Sequence, residues 1–220
     1  ADLCVRAAML LRQATGTSRG VDIVLEKRLP MGGGLGGGSS DAATTLIVLN
    51  HLWGLGLDRA GLQALGLRLG ADVPFFIFGE SAFGEGIGEI LTPVALSPAW
   101  YLVLVPPVSV STGLVFGHTE LTRNSNRIKI PAFFPGGGRN DLEPVVRREY
   151  PEVERHLAWL ARHGAAQMTG SGACVFAPFA DEGTAKQVLS LLPPDMQGFV
   201  AQGVDRHPLG NLILGSRQAG

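Results

Sequence analysis

The stretch Met31–Ala43, MGGGLGGGSSDAA, decides how this sequence is read. Six of its first eight residues are glycine, and Ser39, Ser40 and Asp41 lead from them into an apolar helical pattern. Glycine admits positive φ and, having no Cβ, lets backbone N–H groups close in on an anion. A helix N-terminus directly after such a run adds about half a positive charge and several open N–H donors. Ser39 and Ser40 can add hydroxyls or help hold a phosphate-bound Mg²⁺, and Lys27 and Arg28 stand close enough in sequence to add charge. The bland alternative is a flexible linker. A strand-like stretch and a helix directly abut the run, which disfavours it.

Two familiar phosphate motifs fail on context. Gly32-x-Gly34-x-x-Gly37 formally satisfies the dinucleotide fingerprint. That fold needs a second strand after the helix, with an acidic residue about 20 positions on. Here the helix runs into another helix, and the acid at that distance, Asp58, sits at a helix start. A P-loop needs a lysine after the glycines, and none follows.

Working outward, the 220 residues suffice for one large or two small domains, and 45% hydrophobic residues support a sizeable core. Lys+Arg 18 against Asp+Glu 19 gives a net charge of −1, with no basic bias toward nucleic acid. Cys4 and Cys174 form no CxxC pair, so two small buried residues in a reduced, cytoplasmic setting are expected. No apolar run is long enough for a membrane span. His51, His118, His156, His163 and His207 show no metal-ligand spacing, and the sequence leaves any metal ligand unknown.

Leu3, Ala7, Leu10, Leu11 and Ala14 share one helical face, and that helix should stop at Thr15–Gly20. The alternation of Val21, Ile23 and Leu25 reads as a strand through 30. Residues 39–53 read as a helix capped by Ser39, Ser40 and Asp41, and Asp58 caps a third helix over 58–70. Asp72 turns the chain into an apolar strand at 75–78, and 81–94 forms two short strands around glycines. Pro and Ser cluster at 94–99, which places a domain boundary there: 1–94 and 95–220. In the second half, 100–105 is a strand and Ser111 or Thr112 caps a short helix. Residues 123–141 are loop-like. Two helices meet at Pro151, and 165–169 and 173–179 form a hairpin about Gly170-Ser171-Gly172. A helix over 181–193 and a strand over 198–204 complete a split βαβ, ferredoxin-like order.

The residues LPMGGGLGGGSSDAA (29–43) resemble the second signature of the GHMP kinases, Pro-x-x-x-Gly-Leu-Gly-Ser-Ser-Ala. LGADVPFF (69–76), AFGEGIGEILTPV (82–94) and MTGSGACVF (168–176) resemble further segments of one branch, the last its third glycine-rich signature. The resemblance implies an α+β, two-domain kinase fold: an ATP-binding domain and a ferredoxin-like C-terminal domain. It implies transfer of the γ-phosphoryl of Mg²⁺·ATP to the 2-hydroxyl of a methylerythritol bearing a cytidine diphosphate group, in isoprenoid precursor synthesis. The expected partner is thus a small molecule, with no nucleic acid and no membrane, for a monomer or homodimer.

By the same resemblance, Pro30, Met31, Gly32, Gly33, Gly34, Leu35, Gly36, Gly37, Gly38, Ser39 and Ser40 wrap the ATP phosphates. Asp72 is the base that takes the hydroxyl proton. Gly170, Ser171 and Gly172 back the glycine loop, or are a plain hairpin turn. Thr112 and Phe116 line the substrate side; Phe116 either stacks on cytosine or is a core phenylalanine. Asp41 reads as a first-turn helix acid rather than a ligand.

These kinases carry an earlier signature whose lysine pairs with the catalytic aspartate. Lys27 is not at that motif, and the chain opens at Ala1 inside a helix. An upstream segment is therefore expected to be missing, leaving an open sheet edge. Two readings remain beside the first: another GHMP small-molecule kinase, and an inactive nucleotide-binding fragment.

Overall fold

The computed structural model describes residues 2–125 and 138–213, and most of the loop expected over 123–141 lies outside them. The described chain divides into two compact units. Of the described residues, unit 1 comprises 2–27, 36–96 and 204–213; unit 2 comprises 28–35, 97–125 and 138–203.

Unit 1 is helical with one hairpin. Helix α1, Leu3–Thr15, starts where Asp2 accepts the Cys4 N–H at 2.8 Å and stops at Gly16, whose φ of 69° no other residue type adopts cheaply. Helix α2, Gly37–Trp53, buries Ala42, Ala43, Leu46, Ile47 and Leu49 against Ala7 and Leu11 of α1. It begins two residues earlier than the sequence suggests. Its cap is Gly36 (φ 69°), so Ser39 and Ser40 lie inside the first turn and make no side-chain cap bond. Buried Asn50 then clasps the exit: its Nδ2 donates to Leu57 O (2.9 Å) and its Oδ1 accepts from Leu57 N–H (3.0 Å). Asp58 caps α3, Arg59–Leu67, by accepting from Gly61 N–H at 2.8 Å.

Two expected strands are absent. Residues 75–78 belong to a helix, α4, Val73–Phe78. Pro74 in its first turn has φ already set for a helix, and Val73 and Ile77, four apart, are fully buried while Phe75 is exposed. Residues 21–30 form no strand either. A strand needs a neighbour for its N–H and C=O groups, and among the described residues no segment pairs with this one. Its alternating apolar residues Val21, Ile23 and Leu25 stay 36% to 43% exposed. Strands β1, Ala82–Glu85, and β2, Ile90–Pro93, pair antiparallel. The chain returns late to this unit: Ser81 N–H donates to Asp205 O (3.0 Å), His207 N–H to Gly79 O (2.8 Å), and α9, Gly210–Ile213, follows.

Unit 2 is a four-stranded antiparallel sheet with helices. Its strands are β3, Trp100–Leu104; β4, Gln167–Met168; β5, Val175–Phe179; and β6, Gly198–Gln202. Their order is β4-β5-β3-β6. Between β3 and β4 come α5, Thr112–Gly117; α6, Glu143–Glu149; and α7, Pro151–Leu160. Helix α8, Glu182–Ser190, joins β5 to β6, which is the ferredoxin-like arrangement. Period-2 burial of Val175, Ala177 and Phe179 puts one sheet face into a core shared with Leu102, Leu104, Val153 and Leu160.

That core holds one polar group at a cost. His156 is 2% exposed; its Nδ1 donates to Glu152 O at 2.6 Å, while Nε2 has no partner among the described residues. Burial pushes its pKa below the ordinary 6.5, against the smaller opposing pull of the Glu152 carbonyl. The folded state then resists a proton that the unfolded chain accepts, so stability holds above about pH 6.5 and falls as pH drops below it. The melting temperature is expected to decline from pH 7 to pH 5, and less steeply in His156→Leu. An unchanged slope in the variant would assign the effect elsewhere. Half-buried His207, its pKa also lowered by burial, contributes the same sign in unit 1.

Candidate active site

The glycine run crosses from one unit to the other, and each part is built differently. In unit 2, left-handed φ values at Gly32 (71°) and Gly34 (72°) are separated by Gly33, which is not left-handed. The loop lies backbone-to-backbone on the turn between β4 and β5. Cys174 N–H donates to Gly33 O at 3.0 Å, and the Thr169 hydroxyl donates to Gly34 O at 2.8 Å. A Cβ on Gly34 would stand 2.3 Å from Thr169 O and 2.9 Å from Gly172 O. Only glycine permits this approach.

These two bonds orient the loop. In a trans peptide the N–H points opposite to the preceding carbonyl. With the Gly33 and Gly34 carbonyls turned to the 169–174 turn, the N–H groups of Gly34 and Leu35 face away from it. Alternating left-handed residues of this kind curl successive N–H groups into an anion-binding concavity.

In unit 1, the first backbone bond of α2 runs from Ser40 N–H to Gly36 O at 2.9 Å. The N–H groups of Gly37, Gly38 and Ser39 therefore have no acceptor inside the helix. Helix α2 packs on α4 at this end: a Cβ on Gly36 would meet the Phe76 ring at 2.8 Å. Asp72, the cap residue of α4, precedes Phe76 by four positions and so shares its face. Its carboxylate is exposed and makes no capping bond. Lys27 is not available to a phosphate as the sequence suggests. Its ammonium is 2.7 Å from Asp41 and 3.7 Å from Asp2, and the hydrogen bond to Asp41 raises its pKa. Asp41 is the fifth residue of α2 rather than a first-turn acid.

The comparisons with known proteins decide what this architecture is. The family model for the GHMP kinases N terminal domain matches residues 2–80, and that for GHMP kinases C terminal matches 128–193. A 4-diphosphocytidyl-2-C-methyl-D-erythritol kinase of Thiobacillus denitrificans is 60% identical over 212 residues, 96% of this chain and 76% of the relative. One of the same description from Nitrosospira multiformis is 64% identical over 211 residues, 94% of this chain and 72% of the relative. This chain belongs to the GHMP kinases. A crystal structure of 4-(cytidine 5'-diphospho)-2C-methyl-D-erythritol kinase superimposes with a TM-score of 0.80 at 34% identity, covering 91% of this chain and 77% of that one. As a GHMP kinase it is a small-molecule phosphotransferase that uses ATP.

The kinase places its remaining candidates in unit 2. Gly170 lies against Gly34: a Cβ there would be 3.1 Å from Gly34 O. The Ser171 and Thr112 hydroxyls are hydrogen-bonded at 2.8 Å. Phe116 is 53% exposed, while its neighbour Val115 is buried at 2%, so Phe116 is not a core residue. A cavity of about 430 Å³ beside α5 is lined by Leu114, Val115, His118, Glu149 and Tyr150, and not by Thr112 or Phe116. Among the described residues no group of three or more His, Cys, Asp or Glu could hold a metal ion. No described helix is long and apolar enough to cross a membrane.

Sequence reasoning missed Asn140. Its Nδ2 donates to Gly170 O (2.7 Å) and to Met168 O (3.1 Å), and its Oδ1 accepts Leu142 N–H (3.0 Å). Glu143 accepts Met168 N–H at 2.9 Å. The only sequence signal was Asn140-x-x-Glu143 ahead of an apolar helix, which reads as an ordinary capping box.

Proposed function

We propose that this kinase transfers the γ-phosphoryl group of Mg²⁺·ATP to the 2-hydroxyl of 4-diphosphocytidyl-2-C-methyl-D-erythritol, supplying isoprenoid precursor synthesis in the cytoplasm. The observation that carries the reading is 60% to 64% identity, over 94% to 96% of the chain, to kinases named for that acceptor. The geometry supports it. Phosphoryl transfer asks the protein mainly for positioning and charge stabilisation. Gly34 and Leu35 supply N–H groups turned away from the 169–174 turn, and Gly37–Ser39 supply the open N–H groups at the start of α2, with the Ser39 and Ser40 hydroxyls beside them. Mg²⁺ enters with the nucleotide as part of the substrate.

Asp72 takes the proton from the acceptor hydroxyl as its oxygen attacks the γ-phosphorus and ADP leaves. Thr112 and Phe116 lie on the acceptor side, where the exposed Phe116 ring offers a stacking surface for cytosine, worth about 1–3 kcal/mol. Residues 1–94 act as the ATP-binding domain and 95–220 as the C-terminal domain, in a monomer or homodimer.

The test is a phosphotransfer assay with Mg²⁺·ATP and a panel of alcohols: the cytidine-diphosphate acceptor, homoserine, mevalonate and galactose. Turnover of the cytidine-diphosphate acceptor alone is expected. Preference for another alcohol would assign a different GHMP kinase activity. ATP binding without turnover of any alcohol would assign a silent nucleotide-binding protein.

A further inference from the structure

We propose that Asn140 is a positioning residue for the phosphate loop, setting its geometry through the 168–170 turn; this rests on reading Gly32–Leu35 as the ATP site. The 168–170 turn carries Thr169, whose hydroxyl fixes Gly34 O, and Gly170, which packs on the same carbonyl. Strand pairing holds only one side of the turn, because β4 is two residues long. The other side is held by Asn140 and Glu143. A single carboxamide bridges Met168 O and Gly170 O, the carbonyls on either side of Thr169; together with the bonds from Thr169 N–H to Cys174 O (3.0 Å) and from Gly172 N–H to Thr169 O (2.9 Å), it sets the direction in which the Thr169 side chain leaves the backbone. The Glu143 carboxylate fixes Met168 N–H.

The path is therefore serial: Asn140 to the turn, Thr169 to Gly34 O, and the Gly34–Leu35 peptide to the direction of the Leu35 N–H. Asn140 touches neither nucleotide nor acceptor in this scheme. Its short, planar amide suits the task, since two donors on one nitrogen reach two carbonyls while the oxygen is held by Leu142 N–H. Aspartate would present an acceptor to two acceptors. Alanine would leave both carbonyls unbridged.

The experiment compares Asn140→Ala, Thr169→Val and the double variant by steady-state kinetics and direct ATP titration. Asn140→Ala is expected to raise KM and Kd for ATP about tenfold, with the KM of the acceptor unchanged. In the Thr169→Val background the further effect of Asn140→Ala is expected to shrink to within about twofold, because both act on one carbonyl. Additive effects, or equal loss across ATP and acceptor, would overturn the proposal. Should Asn140→Ala fold poorly, Asn140→Ser carries the same comparison.

A parallel Gly34→Ala separates the two levels. Loss of ATP binding there, with Asn140→Ala unaffected, rejects the positioning role alone. Normal ATP binding in Gly34→Ala rejects the loop reading and the proposal with it.

Discussion

Asp72→Asn is expected to lower turnover by about 10²–10⁴-fold, the usual worth of a positioned general base, while leaving ATP affinity and melting temperature near the parent values. Asp72 ends the turn after Gly70 and enters α4 with φ −83° and ψ −16°, so its backbone is already helical. The side chain caps nothing and forms no ion pair among the described residues. Asparagine has the same shape and loses only the ability to accept a proton. A purely structural role would therefore leave both stability and rate intact. A rate within a few-fold of the parent would remove Asp72 from the mechanism and direct attention to another base.

Gly34→Ala is expected to abolish measurable ATP binding. Two costs combine. A φ of 72° costs a non-glycine residue about 1–2 kcal/mol. The new Cβ would also lie 2.3 Å from Thr169 O and 2.9 Å from Gly172 O, both backbone atoms that no rotamer change can move. The loop must lift, breaking the bonds that turn its N–H groups outward. Gly16→Ala supplies the comparison: its φ is 69°, with no atom within 4 Å of the new Cβ. That variant is expected to lose about 2–4 °C per kcal/mol in melting temperature and to bind ATP normally. Equal ATP affinity in the two variants would show that the Gly34 contact does not shape the nucleotide site.

The sequence carried the local features well. Helix α1 followed from its apolar spacing, and the cap at Asp58 from residue type, Asp58 accepting Gly61 N–H at 2.8 Å. Short apolar runs misled, as at 75–78. Four hydrophobic residues fit a buried strand or one turn of helix equally, and Pro74 with Gly79 marked the helix only in hindsight. The strand expected at 21–30 failed for a different reason, since alternation says nothing about whether a neighbour is present.

The glycine loop announced itself by composition, but its support did not. Thr169 and Gly34 are 135 residues apart in sequence, and no local pattern links them. Asn140 was hidden because its bonds to Met168 and Gly170 cross 28 and 30 residues, while its local surroundings look like any helix start.

The chain changes unit after residues 27, 35, 96 and 203. For a polypeptide leaving the ribosome from its N-terminus, this order has a kinetic cost. The Gly33 carbonyl emerges long before Cys174 N–H can meet it, and Gly79 waits for His207. Neither unit is complete until residues beyond about 200 have been synthesised, so the two units close together rather than one after the other.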